Sequence, residues 1–124
     1  MLIIKLIIKY KFSILYGLFV LVLSLLPFRS APGSSFFNIP YSDKVAHFVL
    51  YGILAFILIL ETHHKYLSLL EYVLIISVCL LFGGMIELLQ MALPQRSGEI
   101  WDIIANLSGS LTAIPASLII NRFR

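Results

Sequence analysis

Four long apolar blocks, separated by short polar segments, dominate this sequence of 124 residues. They cover about residues 12–28, 44–61, 67–93 and 100–120. A bilayer core takes roughly 20 helical residues, with about 17 to 25 tolerated, so all four blocks can cross it. Strands of a membrane barrel would alternate apolar and polar residues, and these blocks do not. The sequence therefore predicts an all-α integral membrane bundle of four transmembrane helices.

The composition supports a membrane protein and argues against a nucleic-acid partner. Hydrophobic residues make up 60% of the chain and charged residues 12%, with a mean hydropathy of +1.03. A soluble domain of this size could not bury so much apolar surface. The formal net charge is +3, but the basic residues flank the apolar blocks instead of forming one basic face. The linkers are too short for another folded unit, so we expect one domain over residues 1–124.

The basic residues predict an orientation, because Lys and Arg in short loops concentrate on the cytoplasmic side. One side would collect Lys5, Lys9, Lys11, Lys65, Arg122 and Arg124, and the other Arg29, Lys44 and Arg96. Both termini are therefore predicted to be cytoplasmic. The lysines before the first block also resemble the start of a signal peptide, but Arg29 and Pro32 stand where a cleavage site needs small residues. We expect an uncleaved anchor.

Polar residues interrupt the last three blocks at helical spacing. Asp43, His47 and Tyr51 are four apart, Glu87 and Gln90 are three apart, and Asp102, Asn106 and Gly109 follow at four and three. Each set therefore forms one stripe along a helix. At a rise of 1.5 Å per residue, the polar members inside the blocks lie about 6 to 10 Å from the outer ends of their helices. The three stripes are thus expected to meet at one depth.

The three polar stripes are significant because a charged side chain is energetically costly in hydrocarbon. Glu87 must face the bundle, be protonated, or pair with His47, Lys44 or Arg96, because a charged side chain facing lipid costs several kcal/mol. One interpretation is a buried polar network that only fixes helix register. The other is a binding site, whose candidate residues are Asp43, Lys44, His47, Tyr51, Glu87, Gln90, Arg96, Asp102 and Asn106.

Small residues predict where helices approach each other. Gly83 and Gly84 lie in the third block, and Gly109 lies in the fourth between Ala105 and Ala113. Small side chains let helix backbones come close in membranes. The one cysteine, Cys79, lies within an apolar block, so we expect it to be buried in the packing.

The polar segments carry a family resemblance. The second helix begins with a string that resembles the Asp-Lys-x-x-His-Phe motif of VanZ-like membrane proteins, Asp43-Lys44-Val45-Ala46-His47-Phe48. Three further segments are similar to that family's Glu-x-x-Gln, Arg-x and Asp-x-x-x-Asn pattern: Glu87 to Gln90, Arg96-Ser97 and Asp102 to Asn106. Gly109 stands where the family usually has glycine. The resemblance implies a multi-pass protein of the bacterial cytoplasmic membrane and a link to reduced susceptibility to teicoplanin.

Three functions remain open from the sequence. The first is binding of a lipid headgroup, a cell-wall precursor or a glycopeptide at the outer face of the bilayer. The second is a small intramembrane enzyme for a lipid-linked substrate, with His47, Glu87 and Asp102 as acid and base candidates. The third is a scaffold. A divalent metal held by His47, Glu87 and Asp102 is a further alternative, but one histidine among scattered carboxylates is not a recognised ligand spacing, so we predict neither a metal site nor a cofactor.

Overall fold

The computed structural model describes residues 1–26, 41–62, 66–93 and 100–123. Within these ranges the chain forms five α-helices and no strand. The helices are α1 (Leu2–Lys9), α2 (Lys11–Leu25), α3 (Ser42–Glu61), α4 (Leu69–Met91) and α5 (Ile100–Arg122). The predicted all-α class is confirmed.

Three helices, α3, α4 and α5, are each long and apolar enough to cross a membrane. They coincide closely with the predicted second, third and fourth helices. The first predicted helix, over residues 12–28, overlaps α2, and its last two residues lie outside the described ranges. The sequence analysis assigned no helix to residues 2–9. In the structure these residues form α1, which meets α2 at an angle of 74°. The two helices would supply a fourth span only if together they were counted as one span.

Helix α3 lies at the centre of the bundle and packs against α2, α4 and α5. Its residues Tyr51, Leu54 and Ala55 form the middle of the core, where Cys79 and Ile86 of α4 join them. Cys79 is fully buried, as its position in the sequence predicted. Many large apolar side chains on the outer surfaces of the helices are exposed, which is the surface that a bilayer would cover.

Helices α3 and α5 approach each other closely at Gly109. A Cβ atom added to Gly109 would lie 2.0 Å from the Phe48 carbonyl oxygen, and one added to Gly52 would lie 3.0 Å from the Gly109 oxygen. Only glycine allows this contact, so the prediction for Gly109 is confirmed. Gly83 also makes room, because its Cβ would lie 2.5 Å from Asn106 Nδ2. The prediction for Gly84 is wrong: no described atom lies within 4 Å of its Cβ position.

A buried carboxylate joins α3 to α2 at the opposite end from the polar stripes. Glu61, the last residue of α3, accepts hydrogen bonds from the backbone N–H groups of Phe12 at 2.8 Å and Ser13 at 3.0 Å, and from the Ser13 hydroxyl. The first N–H groups of any helix lack partners within that helix. Glu61 therefore caps α2 from another helix, and its negative charge lies at the positive end of the α2 dipole.

The α4 helix begins with a local capping box. The Ser68 hydroxyl accepts from the Glu71 N–H at 3.3 Å, and Glu71 Oε2 accepts from the Ser68 N–H at 2.7 Å. This reciprocal pair satisfies two helix donors without help from the rest of the bundle.

We expect Gly109→Ala to destabilise the protein, because the new methyl group would force α3 and α5 apart along a surface that cannot relax locally. Overpacking of this kind costs about 1 to 3 kcal/mol. Gly84→Ala is the matched control, since the same methyl group there meets open space. Unfolding in detergent would be followed by circular dichroism for both variants. Equal stability of the two would contradict the close contact.

Candidate functional site

Three helix ends meet at one end of the bundle and bring the polar stripes together. The first turns of α3 and α5 and the last turn of α4 lie there, because α4 runs antiparallel to both neighbours. The site cluster consists of six residues, each with a polar atom within 3.8 Å of a polar atom of another member: Asp43, Lys44, His47, Glu87, Asp102 and Asn106. The stripes therefore meet as the spacing predicted.

Lys44 links the carboxylates of two helices. Its Nζ atom lies 2.8 Å from Asp43 Oδ2 and 3.3 Å from Asp102 Oδ1. The Lys44 side chain is 21% exposed and that of Asp102 only 7% exposed. A buried carboxylate needs such a partner, because an uncompensated charge away from water is strongly unfavourable. Lys44 thus offers one cation at the rim of the site cluster.

His47 is held between an amide and two acids. Its Nδ1 atom lies 2.9 Å from Asn106 Oδ1. Its Nε2 atom lies 3.8 Å from Glu87 Oε1 and 3.7 Å from Asp102 Oδ2. With the Asn106 oxygen as acceptor, Nδ1 carries a proton and Nε2 faces the two carboxylates.

A tightly packed layer below His47 fixes its orientation. The Tyr51 ring stacks on the imidazole with centroids 6.1 Å apart and planes 10° from parallel. Tyr51 and Asn106 both pack against Gly83, where a larger residue would displace them. Tyr51 is fully buried, and its hydroxyl has no hydrogen-bond partner among the residues described here.

The arrangement has a definite chemical capacity. One atom each from His47, Glu87 and Asp102 lie within 4.8 Å of one another, so these three residues could hold a metal ion. The same imidazole and carboxylates could also exchange a proton with a bound molecule. Glu87 is only 4% exposed and Asp102 only 5% exposed, so metal binding or proton exchange would take place away from bulk water.

Not every candidate residue joins the site cluster. Gln90 is buried, but its Nε2 atom donates to the carbonyl oxygen of Ser24 at 2.7 Å, which ties α4 to α2. Tyr51 contributes as support beneath His47. Arg96 lies outside the described residues.

An apolar groove between α4 and α5 reaches the site cluster from the side of the bundle. It has a volume of about 640 Å³, and its lining includes Leu81, Gly84, Leu88 and Ile103 together with Glu87. The sequence analysis missed this groove because its residues have the same composition as any lipid-facing helix surface. The one available signal was Gly84, which was assigned to helix packing instead.

Comparison with known proteins identifies a family but no individual relative. No curated protein and no solved structure matches the chain. The family model described as VanZ/LLP1 matches residues 2–121, which include all five helices except the last residue of α5. The chain therefore belongs to the VanZ/LLP1 family.

Proposed function

We propose that this protein binds a membrane amphiphile, with the polar head at the site cluster and the apolar chain in the groove between α4 and α5. The amphiphile is a lipid or a lipid-linked cell-wall precursor, and its capture would alter susceptibility to glycopeptides such as teicoplanin. The observation that carries the proposal is that the groove is lined by apolar side chains and also by Glu87, a buried acid of the site cluster.

The shape and polarity of the groove support an amphiphile over a soluble ligand. Its volume of 640 Å³ falls within the usual range of small-molecule sites, roughly 300 to 1,000 Å³. Leu81, Leu88 and Ile103 would contact an acyl or prenyl chain without exposing any polar backbone. A molecule in the bilayer could therefore enter sideways, with its head already at the depth of Glu87.

The site cluster supports a head that contains phosphate or carboxylate together with hydrogen-bonding groups. Lys44 would supply a cation at the rim, and the sequence places a second, Arg96, between α4 and α5. Guanidinium and ammonium groups are the usual partners of phosphate. Asp102 would accept hydrogen bonds from the polar head, and the Asn106 amide would donate hydrogen bonds to it.

An enzyme acting on the same lipid-linked molecule is the second candidate. The observation that favours it is the His47 Nε2 atom within 3.8 Å of two carboxylate oxygens, since such a group can transfer a proton. A scaffold role would need the same polar contacts but no ligand.

We also propose that the chain crosses the cytoplasmic membrane four times, with the predicted first helix, residues 12–28, as the first span and both termini inside. The excess of lysines and arginines on the terminal side supports this orientation. The site cluster would then lie near the outer face, where glycopeptides and cell-wall precursors meet the membrane.

Gly84→Trp tests the groove. The indole would project into the groove without a clash at Cβ, so the fold should persist while the groove is filled. We expect the amphiphile that copurifies with the wild type, measured by mass spectrometry of extracted lipid, to fall at least tenfold, and glycopeptide susceptibility to change in parallel.

Gly84→Ala, which leaves the groove open, should retain the amphiphile. If Gly84→Trp also retains it, the groove is not the binding site and the proposal fails. Conversion of the amphiphile to a product of different mass by the wild type alone would replace binding with catalysis. A wild type that carries no specific amphiphile would support the scaffold.

Cysteine labelling tests the orientation. In a Cys79→Ala background, a membrane-impermeant maleimide applied to intact spheroplasts should label Ser35→Cys and Gly98→Cys. Phe123→Cys should be labelled only after lysis, because the C-terminal end would be cytoplasmic. Labelling of Phe123→Cys in intact spheroplasts would reverse the orientation and move the site cluster to the inner face.

A further inference from the structure

We propose that His47, Glu87 and Asp102 bind one divalent transition-metal cation, for which Zn²⁺ is the best match. Zinc in proteins is held by imidazole nitrogens and carboxylate oxygens, and a site with three protein ligands keeps a fourth position open. Each of the three residues comes from a different helix, α3, α4 and α5. The three residues therefore form no recognised ligand spacing in the sequence, which is why no metal site was predicted there.

The distances fit a single ion. The three donor atoms lie within 4.8 Å of one another, and His47 Nε2 is 3.8 and 3.7 Å from the two carboxylate oxygens. Ligand atoms around a tetrahedral zinc lie about 3.3 to 3.6 Å apart, given metal–ligand lengths of about 2.0 to 2.2 Å. The two distances from His47 Nε2 need to shorten by only a few tenths of an ångström, and a shift of about 1 Å between the carboxylates would close the site.

The surroundings of His47 provide an independent argument. Histidines that bind metals nearly always engage their other ring nitrogen with a hydrogen-bond acceptor, which fixes the ring and its tautomer. Asn106 Oδ1 occupies that position at 2.9 Å from Nδ1, and Asn106 is only 1% exposed. The Tyr51 ring stacks on the imidazole and restricts its rotation, so Nε2 faces the carboxylates.

A divalent cation would also explain why two acids lie so close to one imidazole at this depth. Buried charges in proteins are either paired or coordinate metals, and the cost of leaving them uncompensated rises in hydrocarbon. The alternative to a metal ion between His47 Nε2 and the carboxylates is a proton on Nε2.

If the proposed function holds, the open fourth coordination position would take a phosphate or carboxylate oxygen from the head of the amphiphile. This assignment of the fourth ligand rests on the proposed function.

Zinc binding can be measured without any lipid ligand. The detergent-purified protein, stripped by chelator, should bind one equivalent of Zn²⁺ in a calorimetric titration. Glu87→Gln and Asp102→Asn should each weaken binding at least tenfold, and Asn106→Leu about 10- to 100-fold through the loss of His47 orientation. Glu71→Gln is the matched control, because it removes a carboxylate from the other end of α4 while glutamine still completes a capping box. It should bind zinc like the wild type.

A measurement on the wild type avoids dependence on variants that fail to fold. Co²⁺ in place of Zn²⁺ should give the strong visible absorption of a four-coordinate site, and Zn²⁺ should displace it. No Zn²⁺ binding by the wild type, or equal binding by Glu87→Gln, Asp102→Asn and Glu71→Gln, overturns the metal site. A wild type that retains the amphiphile but binds no zinc would overturn the metal site alone, whereas a wild type that binds zinc but carries no amphiphile would overturn the proposed function alone.

A second, independent observation concerns the other end of the bundle. Glu61 holds the start of α2, and α1 leaves it at 74°, which brings three lysines around one pocket. The pocket has a volume of about 590 Å³ and is lined by Lys5, Lys9, Lys11, Ile8, Phe12, Leu60 and Glu61. The Glu61 carboxylate already accepts three hydrogen bonds from α2, so it stabilises the bend.

We infer that α1 lies in the membrane interface and that this pocket binds an acidic phospholipid of the bilayer. Six of the eight residues of α1 are leucine or isoleucine, all exposed, and the other two are Lys5 and Lys9, one helical turn apart. Short helices of this composition lie in the plane of the interface and bind acidic lipids through their lysines. Ile8, Phe12 and Leu60 would contact the upper part of the acyl chains.

Nanodiscs test the lipid assignment. Adding phosphatidylglycerol to phosphatidylcholine nanodiscs should raise the wild-type unfolding temperature by several degrees and leave phosphatidylglycerol bound in native mass spectrometry. Lys5→Gln and Lys9→Gln should each weaken that binding roughly fivefold. Arg122→Gln, which removes an exposed positive charge outside the pocket, should not. No difference between the two lipids, or equal losses in all three variants, would overturn the inference. Stabilisation by free glycerol phosphate in neutral nanodiscs would assign the pocket to a soluble anion instead.

Discussion

The contact between α3 and α5 at Gly109 is the constraint on which the site depends. The Phe48 carbonyl oxygen occupies the space where any other residue at position 109 would have its Cβ atom. His47 precedes Phe48 on α3, and Asn106 lies one turn before Gly109 on α5. The same close approach therefore allows the 2.9 Å contact between the His47 ring and the Asn106 amide. Without it, the two polar stripes would face each other across a gap that lipid or water would fill.

The two ends of the bundle illustrate two different uses of a buried acid. Glu61 accepts three hydrogen bonds from the first turn of α2, so its charge is matched by backbone donors and a helix dipole. Asp102, at the other end of the bundle, lies 3.3 Å from an ammonium group and 3.7 Å from an imidazole nitrogen. These contacts are longer and involve side chains, which can rearrange around a ligand. The difference explains why Glu61 is assigned to architecture and Asp102 to the site.

Much of the fold and part of the site could be predicted because hydrocarbon penalises unpaired polar groups so strongly. That penalty limits the apolar blocks to helices and requires Glu87, Asp102 and Asn106 to face inward. What could not be predicted depends on how helices rotate about one another. Gln90 lies one turn from Glu87, yet it bonds to Ser24, 66 residues earlier in the chain. The capping role of Glu61 could not be predicted either, because its partners on α2 are 48 and 49 residues away.

The helix α1 and the groove were missed for a related reason. Residues 2–9 combine six aliphatic side chains with two lysines, and the lysines were interpreted only as orientation signals. The groove residues are ordinary apolar residues, and only the space above Gly84 distinguishes them from a lipid-facing surface. That space matters to the proposed function because Glu87 of the site cluster also lines the groove. A ligand that used the groove would never have to leave the membrane, so its chain would supply the hydrophobic part of the binding energy and the buried polar residues would have only to recognise its head.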